Sequence, residues 1–270
     1  MSGLDYRIVD VFTDRPLAGN ALCVVSVREL PDDERMLAIA REVNLSETTF
    51  LTRTSDDSYD VRIWTAGGEL PFAGHPSLGT AWSLGPGRWT QRSPGATVVI
   101  ETSETGAVMG QPDPTFTEVY PDDVAAGLGI PAAAVRHATV ADIGGTRHLL
   151  VPTDAPIERL RPDNVSLEAA AAAVRATGVG VVRRIDDATL HARVWIPGPT
   201  LIEDPGTGSA AGPFGLLARR LWQTDEDVVI LQWAEMVRPC RIEVHAETGN
   251  IRVGGNVAAV AEGRFTLGLA

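Results

Sequence analysis

The sequence repeats a short pattern in its two halves, and this repeat restricts the possible folds more than any other feature. In the first half, the alternating segment DVRIW at 60–64 leads into the glycine-rich segment ELPFAGHPSLG at 69–79. In the second half, HARVW at 191–195 leads into EDPGTGSAAG at 203–212. An offset of 131 residues aligns the two Arg-x-Trp strands, and an offset of 134 aligns the glycine-rich segments. We therefore expect two halves of similar architecture.

Helical and strand patterns occur in the same order in both halves. Upstream of each Arg-x-Trp strand a helix is predicted, at 32–43 with an aspartate cap and at 165–176 in an alanine-rich stretch. A β-rich stretch follows each helix, and there the offset of 131 places Glu47 opposite Gly178. The halves are thus predicted to be alike in architecture and unequal in chemistry.

An apolar helix is predicted after each glycine-rich segment, at 76–84 and at 210–221. Because a helix that is apolar on all sides is a buried helix, each is expected to lie in the middle of its half, surrounded by strands. The predicted fold class is α+β, with two pseudo-symmetric β-barrel or β-roll halves, each around a central helix. We place the halves at 1–113 and 114–270, with the alternative that the last segment returns to the first half. The proline-rich stretch 111–122 is interpreted as the crossover.

Charge and composition exclude several functional classes. The formal net charge of −12, without a run of five or more like charges, argues against non-specific binding to nucleic acid or to an anionic membrane. Two cysteines do not make a disulfide framework, and five scattered histidines do not make a metal site. With no signal-peptide pattern and no apolar stretch of about 18 residues, a cytoplasmic protein is expected.

The start of each glycine-rich helix is a candidate anion site. Backbone N–H groups at a helix start lack partners within the helix, and the helix dipole favours negative charge there. If the halves face each other, both starts point into one cleft, and removal of a proton next to a carboxylate needs such electrostatic support. The residues that the repeat places near this site are Glu47, Gly74, His75, Asp204, Gly208 and Ser209.

Each candidate also has a simpler structural interpretation. Glu47 is compatible with a cap or a solvated strand end, and His75 with a core histidine or a helix-start cap. Asp204 precedes a proline and is compatible with a turn, and Ser209 is expected to be the N-cap of its helix in any case. The glycines are compatible with ordinary turns.

Two known functional motifs match this sequence poorly. The segment 206–209, GTGS, lacks the lysine and the glycine spacing of a phosphate-binding loop. A Gly-x-Ser-x-Gly hydrolase motif does not occur around Ser209.

Several longer segments together resemble the phenazine-biosynthesis PhzF-like isomerases. They occur in order along nearly the whole chain: DVFT at 10–13 with Gly19 and Asn20, NLSETTF at 44–50, ELPFAGHP at 69–76, EDPGTGSA at 203–210, and RP at 238–239 with VGGN at 253–256.

The resemblance implies a fold similar to diaminopimelate epimerase and usually a homodimer. It also implies that Glu47 is the acid/base that removes a proton from a dihydro-hydroxyanthranilate ring and returns it elsewhere, with His75, Asp204 and Ser209 completing the site. We expect a metal-free and cofactor-free isomerase of a small anionic substrate, whose carboxylate or developing enolate is held by Gly74, His75, Gly208 and Ser209.

Two alternatives stay open at this point. The first is a two-base racemase or epimerase, but the related enzymes carry a cysteine on each glycine-rich loop, whereas Cys23 and Cys240 lie elsewhere. The second is a non-catalytic carboxylate-binding protein of the same fold.

Overall fold

A computed structural model describes residues 3–120, 122–232 and 237–266. The chain divides into two compact units, Met1–Gly110 with Gly254–Ala270, and Gln111–Val253. The first unit thus ends just before the boundary placed at 113/114 from the sequence, and the segment from Gly254 onwards belongs to it. None of the helices in the described ranges is long and apolar enough to span a membrane.

The first unit is a closed barrel around a helix. Its strands and helices are β1 (Leu4–Val11), β2 (Asn20–Ser26), α1 (Asp33–Val43), β3 (Glu47–Arg53), β4 (Ser58–Thr65), β5 (Gly68–Leu70), α2 (Gly74–Ser83), β6 (Gly87–Arg92), β7 (Thr97–Thr102), β8 (Gly106–Gln111) and most of the last strand (Asn250–Phe265). Strands β1, β2, β3, β4, β6, β7 and β8 pair in this order, and the last strand pairs with both β8 and β1. These pairings close a ring of eight strands.

The second unit repeats this topology. It contains β9 (Thr115–Glu118), α3 (Asp122–Leu128), β10 (Thr139–Ile143), β11 (Thr146–Pro152), α4 (Asn164–Ala173), β12 (Gly178–Arg184), β13 (Thr189–Ile196), β14 (Ile202–Asp204), α5 (Gly208–Trp222), β15 (Asp227–Gln232), β16 (Cys240–Glu247) and the start of the last strand, β17 (Asn250–Phe265).

The order of parallel and antiparallel pairs is the same in both units. The pairs β10–β11, β12–β13 and β15–β16 are antiparallel, while β11–β12 and β13–β15 are parallel, as are the corresponding β2–β3 and β4–β6. The predicted α+β fold with a repeated, helix-centred half is therefore confirmed. Part of the stretch interpreted as a crossover is a strand, since β9 pairs with β10.

The central helix of each unit is buried as predicted. In α2, all residues from Gly74 to Ala81 are buried, and a Cβ atom at Gly79 would lie 2.7 Å from Leu22 Cδ2 of β2. In α5, a Cβ atom at Gly215 would lie 2.7 Å from Ala246 Cβ of β16. Glycine thus lets each helix approach its surrounding strands closely.

The outer helix α1 covers the first barrel with one apolar side. Its N-cap Asp32 accepts a hydrogen bond from the Arg35 backbone N–H at 2.8 Å. Its buried residues Met36 and Ile39 belong to a core cluster with Phe50 of β3.

The repeated Arg, Trp and Glu residues form the same cluster in each unit. Arg193 donates through Nε and Nη2 to the carboxylate of Glu203, at 2.8 and 2.7 Å. Its guanidinium lies 4.7 Å from the Trp195 ring centroid. Arg62 contacts both carboxylate oxygens of Glu69 in the same way. The residues that align the two halves in the sequence therefore have a structural role.

The two clusters differ in burial, and this difference predicts different stabilities. The Arg193 side chain is only 3% exposed, against 24% for Arg62, and Arg62 also contacts Asp33 at 3.1 Å. We expect Glu203→Gln to lower the free energy of unfolding by about 3 kcal/mol, because it removes the carboxylate charge opposite a buried guanidinium. The matched variant Glu69→Gln is expected to cost about 1 kcal/mol, because Arg62 is partly exposed to solvent and also contacts the carboxylate of Asp33. Urea unfolding measures both values, and equal losses would contradict this account.

Candidate active site

The start of β3 and the start of α2 bring Glu47 and His75 together. Glu47 is the first residue of β3, opposite Leu22 of β2, and His75 is the second residue of α2. His75 Nε2 lies 3.4 Å from Glu47 Oε2, with the two side chains 6% and 16% exposed. The Glu47 side chain is therefore not a solvated strand end, and its carboxyl group lies beside an imidazole.

His75 is neutral in the folded protein. Burial lowers the pKa of His75 to about 3, because the charged imidazolium would lose its hydration. The other ring nitrogen, Nδ1, lies 3.3 Å from Nδ2 of the buried Asn20, at the start of β2. Asn20 therefore orients the ring, a role that the sequence had not assigned although Asn20 belongs to one of the family-like segments.

Neither central helix is capped by a side chain at its start. The N-cap residue of α2 is Ala73, and the N-cap residue of α5, Thr207, makes no capping hydrogen bond. The expectation that Ser209 caps its helix was wrong, because α5 begins at Gly208 and Ser209 lies in the first turn. The two helix starts are thus left with backbone N–H groups that can bind an anion.

Asp204 holds the glycine-rich loop of the second unit. Thr207 Oγ1 donates a hydrogen bond to Asp204 Oδ2 at 2.5 Å. The buried Gln232 completes the loop, since its Nε2 donates to the Asp204 carbonyl at 2.6 Å and its Oε1 accepts from the Thr207 backbone N–H at 3.1 Å. Asp204, the last residue of β14, thus stabilises the loop that follows it, and Gln232 was not found from the sequence.

Ser209 contacts a histidine that the sequence did not reveal. His148 of β11 is 2% exposed, and its Nε2 lies 2.8 Å from Ser209 Oγ. Burial lowers the pKa of His148 to about 4, so this imidazole is also neutral. The only signal in the sequence was a histidine at the start of the apolar run HLLVP at 148–152.

The residue opposite His148 explains why the two units differ. His148 pairs with Gly178 between β11 and β12, just as Leu22 pairs with Glu47 between β2 and β3. A Cβ atom at Gly178 would lie 3.0 Å from His148 Nδ1. In the first unit, this strand position carries the carboxylate of Glu47. In the second unit it is Gly178, and the imidazole of the neighbouring His148 fills the space beside it.

The two cysteines do not contribute to these helix starts. Cys23 and Cys240 lie on β2 and β16 and are both buried. Burial raises the pKa of Cys23 to about 12, which keeps its thiol protonated at neutral pH. Within the described ranges, no group of three or more histidine, cysteine and acidic residues is placed to hold a metal ion.

A methyl group at Gly178 tests the packing of His148. We expect Gly178→Ala to lower the free energy of unfolding by roughly 1–3 kcal/mol, because the added Cβ forces the imidazole to move. The control is Gly198→Ala, whose Cβ would meet only the Thr200 carbonyl at 3.9 Å. Urea unfolding should show no loss for this control, and an unchanged stability of Gly178→Ala would contradict the close packing.

The two neutral histidines predict a loss of stability in acid. From the ordinary pKa of 6.5 down to about 4 or 3, the unfolded chain binds a proton at each position and the folded protein does not. Stability therefore falls as the pH is lowered through this window, by roughly 2 kcal/mol per histidine between pH 7 and pH 5. His148→Gln should remove one of these two contributions in urea unfolding at the two pH values. An identical pH dependence in the variant would contradict a neutral His148.

Comparison with known proteins places the chain in a family. The model of the PhzC-PhzF family, described as phenazine biosynthesis-like protein, matches residues 9–263. The chain is 35% identical to trans-2,3-dihydro-3-hydroxyanthranilate isomerase of Pseudomonas aeruginosa, over 97% of this chain and 99% of that protein. A predicted epimerase from Pseudomonas aeruginosa matches in structure with a TM-score of 0.84 and 31% identity, over 98% and 100% of the two chains.

The fold extends to a more distant group of enzymes. A hydroxyproline epimerase from Agrobacterium vitis superimposes with a TM-score of 0.61 at 11% identity, over 97% of this chain and 92% of the epimerase. Such a likeness shows the shared diaminopimelate-epimerase-like architecture. The family model matches most of the chain, and the similar curated proteins include named isomerases. The chain therefore belongs to the phenazine biosynthesis-like PhzC-PhzF family and is an isomerase.

Proposed function

We propose that the protein isomerises trans-2,3-dihydro-3-hydroxyanthranilate or a closely similar small carboxylate by moving one proton, with Glu47 as the single acid/base and without a cofactor. The observation that carries the proposal is the Glu47 carboxyl group beside the neutral His75 at the uncapped start of α2. The substrate class comes from the relative that is 35% identical over nearly its whole length.

The proposed reaction balances without any redox step. Glu47 removes a proton from an acidic C–H bond, and the electron pair of that bond moves into the conjugated system next to the carboxylate. The protonated Glu47 then gives a proton to another ring carbon, and the double bonds shift. Because the proton leaves and returns on one carboxyl group, the reaction needs neither a second base nor an electron carrier.

The neighbourhood of Glu47 suits this cycle. His75 stays neutral at ordinary pH, so it does not hold Glu47 in a permanent ion pair that would weaken it as a base. The backbone N–H groups at the start of α2 can stabilise the negative charge that develops on the substrate. We assign substrate binding to Gly74 and His75 in the first unit.

In the second unit, we assign substrate binding to Gly208 and Ser209. Asp204, which already accepts from Thr207, is assigned to the same reaction, either through a substrate amino or hydroxyl group or through the loop that it orients.

A two-base racemase is less well supported. Such a reaction needs a second base on the opposite face of the reacting carbon, and neither glycine-rich segment carries a cysteine that could act as one. Cys23 cannot serve, because burial raises its pKa to about 12.

Replacing Glu47 by glutamine tests the acid/base role. Glu47→Gln keeps the size of the side chain and removes the base, so turnover should fall by roughly 10²–10⁴-fold. Turnover of trans-2,3-dihydro-3-hydroxyanthranilate is followed by chromatography in deuterated water, with deuterium uptake measured by mass spectrometry. Glu42→Gln, on the exposed end of α1, is the matched control and should behave as wild type. Wild-type turnover and deuterium uptake in Glu47→Gln would rule out the role.

A further inference from the structure

A buried histidine lies directly behind Ser209. His148 Nε2 is 2.8 Å from Ser209 Oγ, and the histidine is 2% exposed whereas Ser209 is only partly buried. The imidazole therefore contacts the serine from the protein interior. Ser209, at the start of α5, is itself partly exposed, so solvent or a ligand can reach this residue.

Each unit has an imidazole at the start of its central helix, but the histidine lies on a different element in each unit. His75 and Ser209 are each the second residue of a central helix. In the first unit the imidazole is on that helix, and in the second it is on β11, at the strand position that Leu22 occupies in β2. The second unit thus has an uncharged pair, His148 and Ser209, where the first has His75 and a carboxyl group.

The surroundings of His148 determine which ring nitrogen carries the hydrogen. Nδ1 is buried, and no residue in the described part of the chain forms a hydrogen bond with it. A buried N–H donor without a partner is rarer and more costly than a buried acceptor without one. The hydrogen is therefore on Nε2, and Nε2 donates it to Ser209 Oγ.

This arrangement fixes what the serine can do. A hydroxyl group has one hydrogen to donate and accepts through its oxygen. Because the oxygen already accepts from Nε2, the hydroxyl hydrogen points to another acceptor. On a partly exposed residue at a helix start, an anionic group of a ligand is such an acceptor.

We propose that His148 is a positioning residue, which holds the Ser209 hydroxyl so that it donates a hydrogen bond to the carboxylate of the bound substrate. This inference rests on the proposed function, because it names a further residue for the same reaction. The neutral state of the buried imidazole fits this role, since His148 then adds direction to the hydroxyl without adding a charge.

Binding of a non-reacting ligand tests the proposal. The probe is 3-hydroxyanthranilate, the aromatic counterpart of the proposed substrate, measured by calorimetry at neutral pH. Ser209→Ala should weaken binding roughly tenfold, as expected for one hydrogen bond to a charged group. His148→Phe should weaken it by a similar factor, whereas His148→Gln, whose amide nitrogen can replace Nε2, should stay within about threefold of wild type.

A double variant separates positioning from a general structural effect. If His148 acts through the serine, His148→Phe should have almost no further effect on binding in the Ser209→Ala background. An equal loss in both backgrounds would overturn the proposal. His191→Phe is the control, because it removes another buried histidine of the same unit, near Glu158, and should leave probe affinity unchanged even if the protein is less stable.

The tautomer of His148 gives a readout that does not depend on any ligand. Nitrogen-15 NMR of the imidazoles, assigned by comparison with His148→Gln, should show His148 with hydrogen on Nε2 and a bare Nδ1. Hydrogen on Nδ1 would overturn the proposal, since the serine would then donate to the histidine. If wild-type protein neither binds 3-hydroxyanthranilate nor turns over the dihydro compound, the proposed substrate is wrong. The NMR result then decides the role of His148 alone.

Discussion

Each unit is built around a mainly apolar, largely buried helix, α2 in the first and α5 in the second. Such a helix is stable in water only if strands cover it on all sides, and the glycines at Gly79 and Gly215 let those strands come close. Its backbone is satisfied internally except at the ends. The start of the helix is therefore a place where backbone N–H donors lack partners within the helix, and His75 and Ser209 lie there.

The two units use this constraint differently. The first places a carboxyl group on β3 against a neutral imidazole at the helix start. The second has glycine at the corresponding strand position, and the space is taken by His148, which contacts Ser209. One repeat thus holds a group that can carry a proton, and the other holds neutral hydrogen-bonding groups. This division fits a reaction in which a single residue takes and returns the proton.

Much of the fold could be predicted because its signals are local. The repeated Arg-x-Trp strands, the capped helix α1 and the apolar helices α2 and α5 all follow from periodicity and composition over short stretches. The correspondence of Glu47 with Gly178 also follows from the offset, and the strand registers give the same correspondence. The choice of Glu47 among many carboxylates needed the family resemblance in addition.

Other parts of the site depend on register between distant strands and were missed. Asn20, His148 and Gln232 lie far in sequence from the residues they contact, and nothing in their immediate neighbourhood indicates a partner. Helix α5 begins at Gly208, two residues earlier than predicted, so Ser209 is not the N-cap and its hydroxyl contacts His148. Local patterns predict which elements form more accurately than they predict which side chains meet.

The central claim is that Glu47 faces the reacting carbon of a bound anionic ring. A crystal structure of the protein with 3-hydroxyanthranilate tests this most directly. The account predicts a Glu47 oxygen at about 3–3.5 Å from a ring carbon. A ligand bound with Glu47 turned away from the ring, or a ligand bound elsewhere, would contradict it.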